Sequence, residues 1–187
     1  MINIDVFRVR DIEVRLGQFR NKARTVIVRA LNRAIENART NVVKKTREEY
    51  YVKASDIRGT IKLEKATPDS LRAIVRAKDT RRELINFNVR PGKPKPKKPP
   101  ILRVAIKKGS GFVNFAGAFL ARGTSTGKLH VLKRVTESRY PIHIKYGIAI
   151  PQMIGHPRVK VYVEEQAREI FKKRVDHEIN RLLGGGG

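Results

Sequence analysis

Residues 91–100 read Pro-Gly-Lys-Pro-Lys-Pro-Lys-Lys-Pro-Pro, and this run limits the fold more than any other segment. Proline fixes φ and has no amide to donate, so the run can be neither helix nor interior strand. It is expected to form an extended loop or linker that keeps its lysines in water. The regular elements lie on either side of it.

Ahead of the run, residues 1–10 alternate weakly, with Ile2, Ile4 and Val6 on one side, as in a short arm or edge strand. From Asp11 the spacing changes. Ile12, Leu16, Phe19, Ala23, Ile27, Ala30, Ala34 and Ala38 recur every three or four residues, which places them on one helical face. The pattern predicts a long helix over residues 11–50, and its alanine-rich middle implies close approach of a neighbouring element. Lys22, Arg29, Arg33, Lys44 and Arg47 fall along another side of that helix, as a solvated face or a phosphate-facing ridge. Next, Lys53-Ala54-Ser55-Asp56-Ile57-Arg58 suits a short turn of helix with Ser55 as its N-cap. Ile61-Lys62-Leu63 and Ala73-Ile74-Val75 read as strands, with a turn at Thr67-Pro68-Asp69, and Leu84-Ile85-Asn86-Phe87 as a further short apolar segment.

Beyond the run, Ile101 to Ile106 suits a strand and Gly109-Ser110-Gly111 a turn. Phe115 to Ala121 and Leu129 to Val135 look like a hairpin around Gly123-Thr124-Ser125-Thr126-Gly127. Pro141-Ile142-His143-Ile144 leads to a break at Pro151, and Gly155 and Pro157 mark the approach to a last helix. Val163, Ala167, Ile170, Phe171, Val175 and Leu182 supply its apolar stripe, although Val159, Val161 and Val163 also alternate like a strand. The expected fold class is α+β: a long N-terminal helix, a mostly antiparallel β-sheet with a basic Pro/Lys loop, and a C-terminal helix. The expected organisation is a single domain over 1–187. It comprises an arm at 1–10, the helix at 11–50 and a sheet region at 56–150 with the extended basic loop at 90–100. A helix at 157–183 and a flexible tail at 184–187 complete it.

Charge says what such a domain must meet. Lys and Arg number 42 against 17 Asp and Glu, a formal net charge of +25. A compact chain with that excess repels itself, so a polyanionic partner is expected, with nucleic acid the foremost class. The 40% hydrophobic content is enough for a core. There is no cysteine, which excludes disulfides and thiolate metal sites. No apolar run is long enough to span a bilayer, and the start lacks a basic, then apolar, leader. Maturation in a bacterial or host cytoplasm, with no membrane partner, is the expectation.

The bases are unevenly spread. No acid occurs between Glu83 and Glu137. Within that stretch Arg90, Lys93, Lys95, Lys97, Lys98, Lys107, Lys108, Arg122, Lys128, Lys133 and Arg134 are the candidate residues facing DNA or an acidic partner, and Arg103 lies among them. Aromatic residues make up 6% and there is no Trp, which argues against a base-stacking platform for single strands. Contact with nucleic acid is therefore expected at the backbone, without sequence readout.

Enzyme motifs fail. Gly123 to Lys128 resembles a phosphate-binding loop, but three residues separate the glycines where four are needed, and Leu129 stands where Ser or Thr is required. His130, His143, His156 and His177 lack metal-ligand spacing, and Glu164, Glu165 and Glu169 sit where helical ion pairs explain them. No catalytic residue, metal or cofactor is expected, and the chain is read as a non-enzyme. An enzyme of DNA processing would need an acidic metal cluster, and the acid-free stretch removes the middle of the chain as its source.

Several strings in order resemble the minor tail protein Z family of tailed bacteriophages. They are Arg29-Ala30-Leu31-Asn32-Arg33-Ala34, Lys53-Ala54-Ser55-Asp56-Ile57-Arg58, Lys65-Ala66-Thr67-Pro68 and Leu84-Ile85-Asn86-Phe87 before the Pro/Lys loop. Gly117-Ala118-Phe119-Leu120-Ala121, Pro141-Ile142 and Ile150-Pro151-Gln152-Met153 follow. Together they cover about Arg20 to Leu183, while the first 15 or so residues and the glycine tail have no counterpart. The resemblance implies a structural virion protein at the head-proximal end of the tail, assembled in the host cytoplasm. It would complete the tail and join it to the neck. Implied partners are the tail terminator or tube, the connector, further copies in a hexameric ring, and double-stranded DNA in the channel. The other reading the residues allow is a free, sequence-independent nucleic-acid-binding protein.

Overall fold

The computed structural model describes residues 2–5, 9–95, 100–124 and 126–184. Of the candidate residues, Lys97 and Lys98 lie outside the described residues, as does the tail beyond Gly184. The expected helix over 11–50 is two. Helix α1 (Val9–Leu16) ends where Gly17 takes a left-handed φ of 53°, a 3-10 turn follows over Gly17–Lys22, and α2 runs over Ala23–Glu49. Glycine adopts that φ without a Cβ penalty. The three- and four-residue spacing continued through the break because the same apolar side is buried in both helices. Ile12 and Leu16 point into the core from α1; Ala30, Leu31, Ala34, Ile35, Ala38 and Val42 do so from α2, all fully buried.

Helix α2 stops at Tyr50, which is extended, and α3 (Ala54–Thr60) follows. Its N-cap is Lys53, without a side-chain cap; Ser55, expected to cap it, lies inside the first turn. Strands β1 (Ile2–Asp5), β2 (Ile61–Glu64) and β3 (Arg72–Ala77) form an antiparallel sheet in the order β1-β3-β2. Residues 2–5 thus form an edge strand, with Ile2 opposite Val75, while Val6 lies outside the described residues. The turn ahead of β3 is closed by mutual backbone hydrogen bonds between Thr67 and Ser70.

Leu84–Asn86, within the short apolar segment, form a 3-10 turn. The expected single sheet is instead three small ones. In the second, β5 (Leu102–Ala105) is flanked by β4 (Asn88–Arg90) and β6 (Val113–Phe115). In the third, β8 (Leu129–Arg134) is flanked by β7 (Ala118–Arg122) and β9 (Ile142–Ile144). Phe115 belongs to β6, because Gly117, with φ 72°, turns the chain before the hairpin begins. The Pro/Lys run falls between β4 and β5, which pair antiparallel with Arg90 opposite Arg103, and residues 96–99 of it lie outside the described residues.

Pro151 opens a short helix, α4 (Ile150–Gly155), where its missing amide costs nothing. The Gln152 side-chain oxygen accepts from the Ala149 amide at 3.0 Å. The last helix, α5, runs over Pro157–Gly184 and takes in the alternating valines: Val159 and Val163 are buried while Val161 is exposed. Helices α2 and α5 form the most extensive packing in the molecule. They run antiparallel, since Arg29 meets Glu178 at one end and Arg158 meets Glu49 at the other. The fold is α+β, and one continuous cluster of buried side chains runs from Ile2 through both long helices and all three sheets.

Candidate polyanion interface

The molecule's acids are largely spent on its own bases. Arg76 binds Glu64 at 2.6 Å, and that hydrogen bond holds the carboxyl below its ordinary range. Lys173 does the same for Glu169, also at 2.6 Å. Arg82 reaches Asp56 at 2.7 Å and Asp79 at 3.4 Å. The candidate bases have no such partners. Among the described residues, Arg90, Lys93, Lys95, Lys107, Lys108, Arg122, Lys128, Lys133 and Arg134 make no ion pair with a carboxylate, and all but Lys107 are exposed.

The fold sorts these residues into separate groups. Lys93, Lys95 and Arg134 come together around a groove of about 770 Å³ whose walls include Leu102, Phe119 and Leu120. The Arg134 guanidinium lies 5.3 Å from the Phe119 ring centroid. Arg90 stands at the foot of the same loop, 4.6 Å from the Phe112 ring centroid, with Arg103 6.0 Å from that ring. Arg90 and Arg103 are cross-strand partners, an arrangement that like charges disfavour unless something else holds them. The aromatic face is that something; it attracts cations and fixes their direction. Arg103 was not singled out from the sequence, because pairing across β4 and β5 is invisible without the register.

Arg122 and Lys128 sit at the other end of the β7–β8 hairpin from Arg134. Five residue steps of strand, roughly 17 Å, separate Arg122 from Arg134. Here the glycine-rich segment that resembled a phosphate loop is a hairpin turn: the Gly123 amide donates to the Lys128 carbonyl at 2.8 Å, and Arg122 donates to the Gly127 carbonyl at 2.9 Å. Ser125 within it lies outside the described residues. Lys133 lies on β8 with its Cε close to Gly117. Lys107 and Lys108 follow β5 and belong to the end of α2, where Lys107 bridges Tyr50 and the Lys108 ammonium donates to the Arg47 carbonyl at 2.6 Å.

That last placement reveals a feature the charge count did not show. A cleft of about 580 Å³ lies along α2, lined by Arg39, Lys44 and Arg47 of that helix, Arg58 of α3 and Lys108. Lys44 and Arg47 belonged to the basic side of the first helix; Arg39 joins them from the same helix, and Arg58 is added by the packing of α3. Arg29, from the same side, is drawn to Glu178 instead.

Among the described residues no group of three His, Cys, Asp or Glu side chains could hold a metal ion. His130 is engaged by Glu83 at 2.7 Å, and His156 packs edge-on to Tyr50 at 6.2 Å between centroids. No described helix is long and apolar enough to cross a membrane. The arrangement groups exposed cations that have no carboxylate partner among the described residues.

A family model described as prophage minor tail protein Z matches residues 14–184. No curated protein and no solved structure matches the chain.

Proposed function

Because the chain belongs to the prophage minor tail protein Z family and so is a structural protein of the bacteriophage tail, we propose that it completes the head-proximal end of the tail, joins it to the neck, and holds DNA there by its backbone. It acts by binding and carries out no catalysis. Copies close into a hexameric ring between the tail terminator or tube and the connector, with double-stranded DNA in the channel. The observation that carries the DNA contact is the group of exposed bases at the β4–β5 pair. Lys93 and Lys95 follow β4, Arg90 and Arg103 lie 4.6 and 6.0 Å from the Phe112 ring centroid, and none of the four has a carboxylate partner among the described residues. Such cations suit phosphates and read no bases.

The test is a titration of duplex DNA against salt, comparing the protein with a variant carrying Lys93→Gln, Lys95→Gln, Lys97→Gln and Lys98→Gln. The variant binds more weakly, and its slope of log affinity against log salt shrinks by about 0.9 for each phosphate contact removed. An unchanged slope would take the loop out of the DNA interface.

A further inference from the structure

We propose that the cleft along α2 is a docking site for an acidic segment of a partner protein, distinct from the loop that faces DNA. Its bases come from three places in the chain: Arg39, Lys44 and Arg47 from α2, Arg58 from α3, and Lys108 from beyond β5. The two acids at its margin are turned to cations outside it, Glu36 to Lys65 at 3.1 Å and Glu48 to Lys45 at 3.2 Å. The cleft's own cations are therefore left uncompensated. Among the described residues Arg39, Lys44, Arg47 and Arg58 form no ion pair, and all four are exposed.

The site is also built, not only charged. Lys108 is held at its mouth by the Arg47 carbonyl and lies 5.7 Å from the Tyr51 ring centroid. Val43, itself buried, contributes an apolar patch to the lining. Arginine forks match carboxylates in two parallel hydrogen bonds, and an apolar patch suits the methylenes of Glu and Asp side chains. A volume of about 580 Å³ accommodates a few side chains of an extended segment. A DNA duplex is too broad to enter it and would touch only the rim. The occupant that matches both size and charge is a stretch of protein rich in Glu and Asp. The inference draws on the tail reading only for the presence of neighbouring proteins.

The experiment measures, on the full chain, binding of a short labelled peptide alternating Glu with Ala and, separately, of a labelled duplex. Two variants remove equal charge: Arg39→Gln, Arg47→Gln and Arg58→Gln in the cleft, and Arg90→Gln, Lys93→Gln and Lys95→Gln at the loop. All six side chains are exposed, and circular dichroism confirms the fold of each variant. The cleft variant is expected to weaken the peptide by about tenfold or more while changing duplex affinity by less than about twofold. The loop variant leaves peptide binding near that of the unaltered protein. Equal peptide loss in both variants, or a cleft variant that loses duplex instead of peptide, would overturn the proposal. A loop variant that keeps full duplex affinity would count against the DNA-facing loop alone and leave the cleft standing.

Discussion

Glu178 is buried to 1% exposure on α5, and three guanidinium groups reach its carboxylate: Arg174 and Arg181 at 2.8 Å and Arg29 at 3.3 Å. In a chain so short of acid this one group ties α5 to α2. Glu178→Gln keeps the shape and removes the charge, leaving three arginines to repel one another. Those arginines are 39–52% exposed, so solvent screens part of the effect and the cost stays below that of a fully buried pair. A loss of about 1.5–3 kcal/mol is expected in urea unfolding; an unchanged midpoint would show the triad to be incidental. Tyr50 makes a second residue-scale prediction. Burial first, then Glu49, raises its phenol above the ordinary value of 10.0. Because the folded-state value is raised, its contribution to stability is complete below pH 10 and is lost as pH climbs through that raised value. Tyrosinate absorbance should therefore contain a component appearing above pH 10 that Tyr50→Phe removes. The candidate bases were legible at this scale, since an acid-free stretch is visible in any reading of the letters. Their grouping was not: whether Arg122 and Arg134 are neighbours depends on strand register, and Arg103 gains its meaning only opposite Arg90.

At the scale of elements, periodicity found the two long helices but not the break between α1 and α2. A stripe of apolar residues reports which side is buried, and that side is continuous across Gly17 even though the backbone is not. Gly17 itself was the available signal. Helix α4 was missed for the opposite reason: Pro151 was read as a stop, whereas in a first helical turn it is a start. The division into three sheets turns on glycine and proline between strands, which announce a bend without saying where the next strand pairs. Gly147 shows how tightly these pieces meet. Its amide donates to the Arg82 carbonyl at 2.7 Å, and a Cβ there would stand 2.7 Å from Phe87 Cε2 and 3.2 Å from both Ile106 Cδ1 and Leu84 Cδ2. Gly147→Ala should overpack this junction and cost about 1–3 kcal/mol, read as a lowered thermal midpoint. A midpoint equal to that of the parent would mean the junction has room to yield.

The whole molecule is a basic body in which most of the described acids pair with its own bases, and two groups of the unpaired cations lie at a loop and in a cleft. The net charge was legible from composition, and it already implied a polyanionic partner. The cleft was not, because it exists only where α3 folds against α2. Copies of such a body repel one another at close range unless anions lie between them, which is why a ring threaded by DNA and bordered by acidic neighbours accounts for both surfaces at once. The most direct test of that account is imaging of phage tails assembled with a tagged copy of this protein. The tag should appear as a ring around the channel at the head-proximal end of finished tails. Label elsewhere along the tail, or finished tails that carry none of the protein, would contradict the assignment.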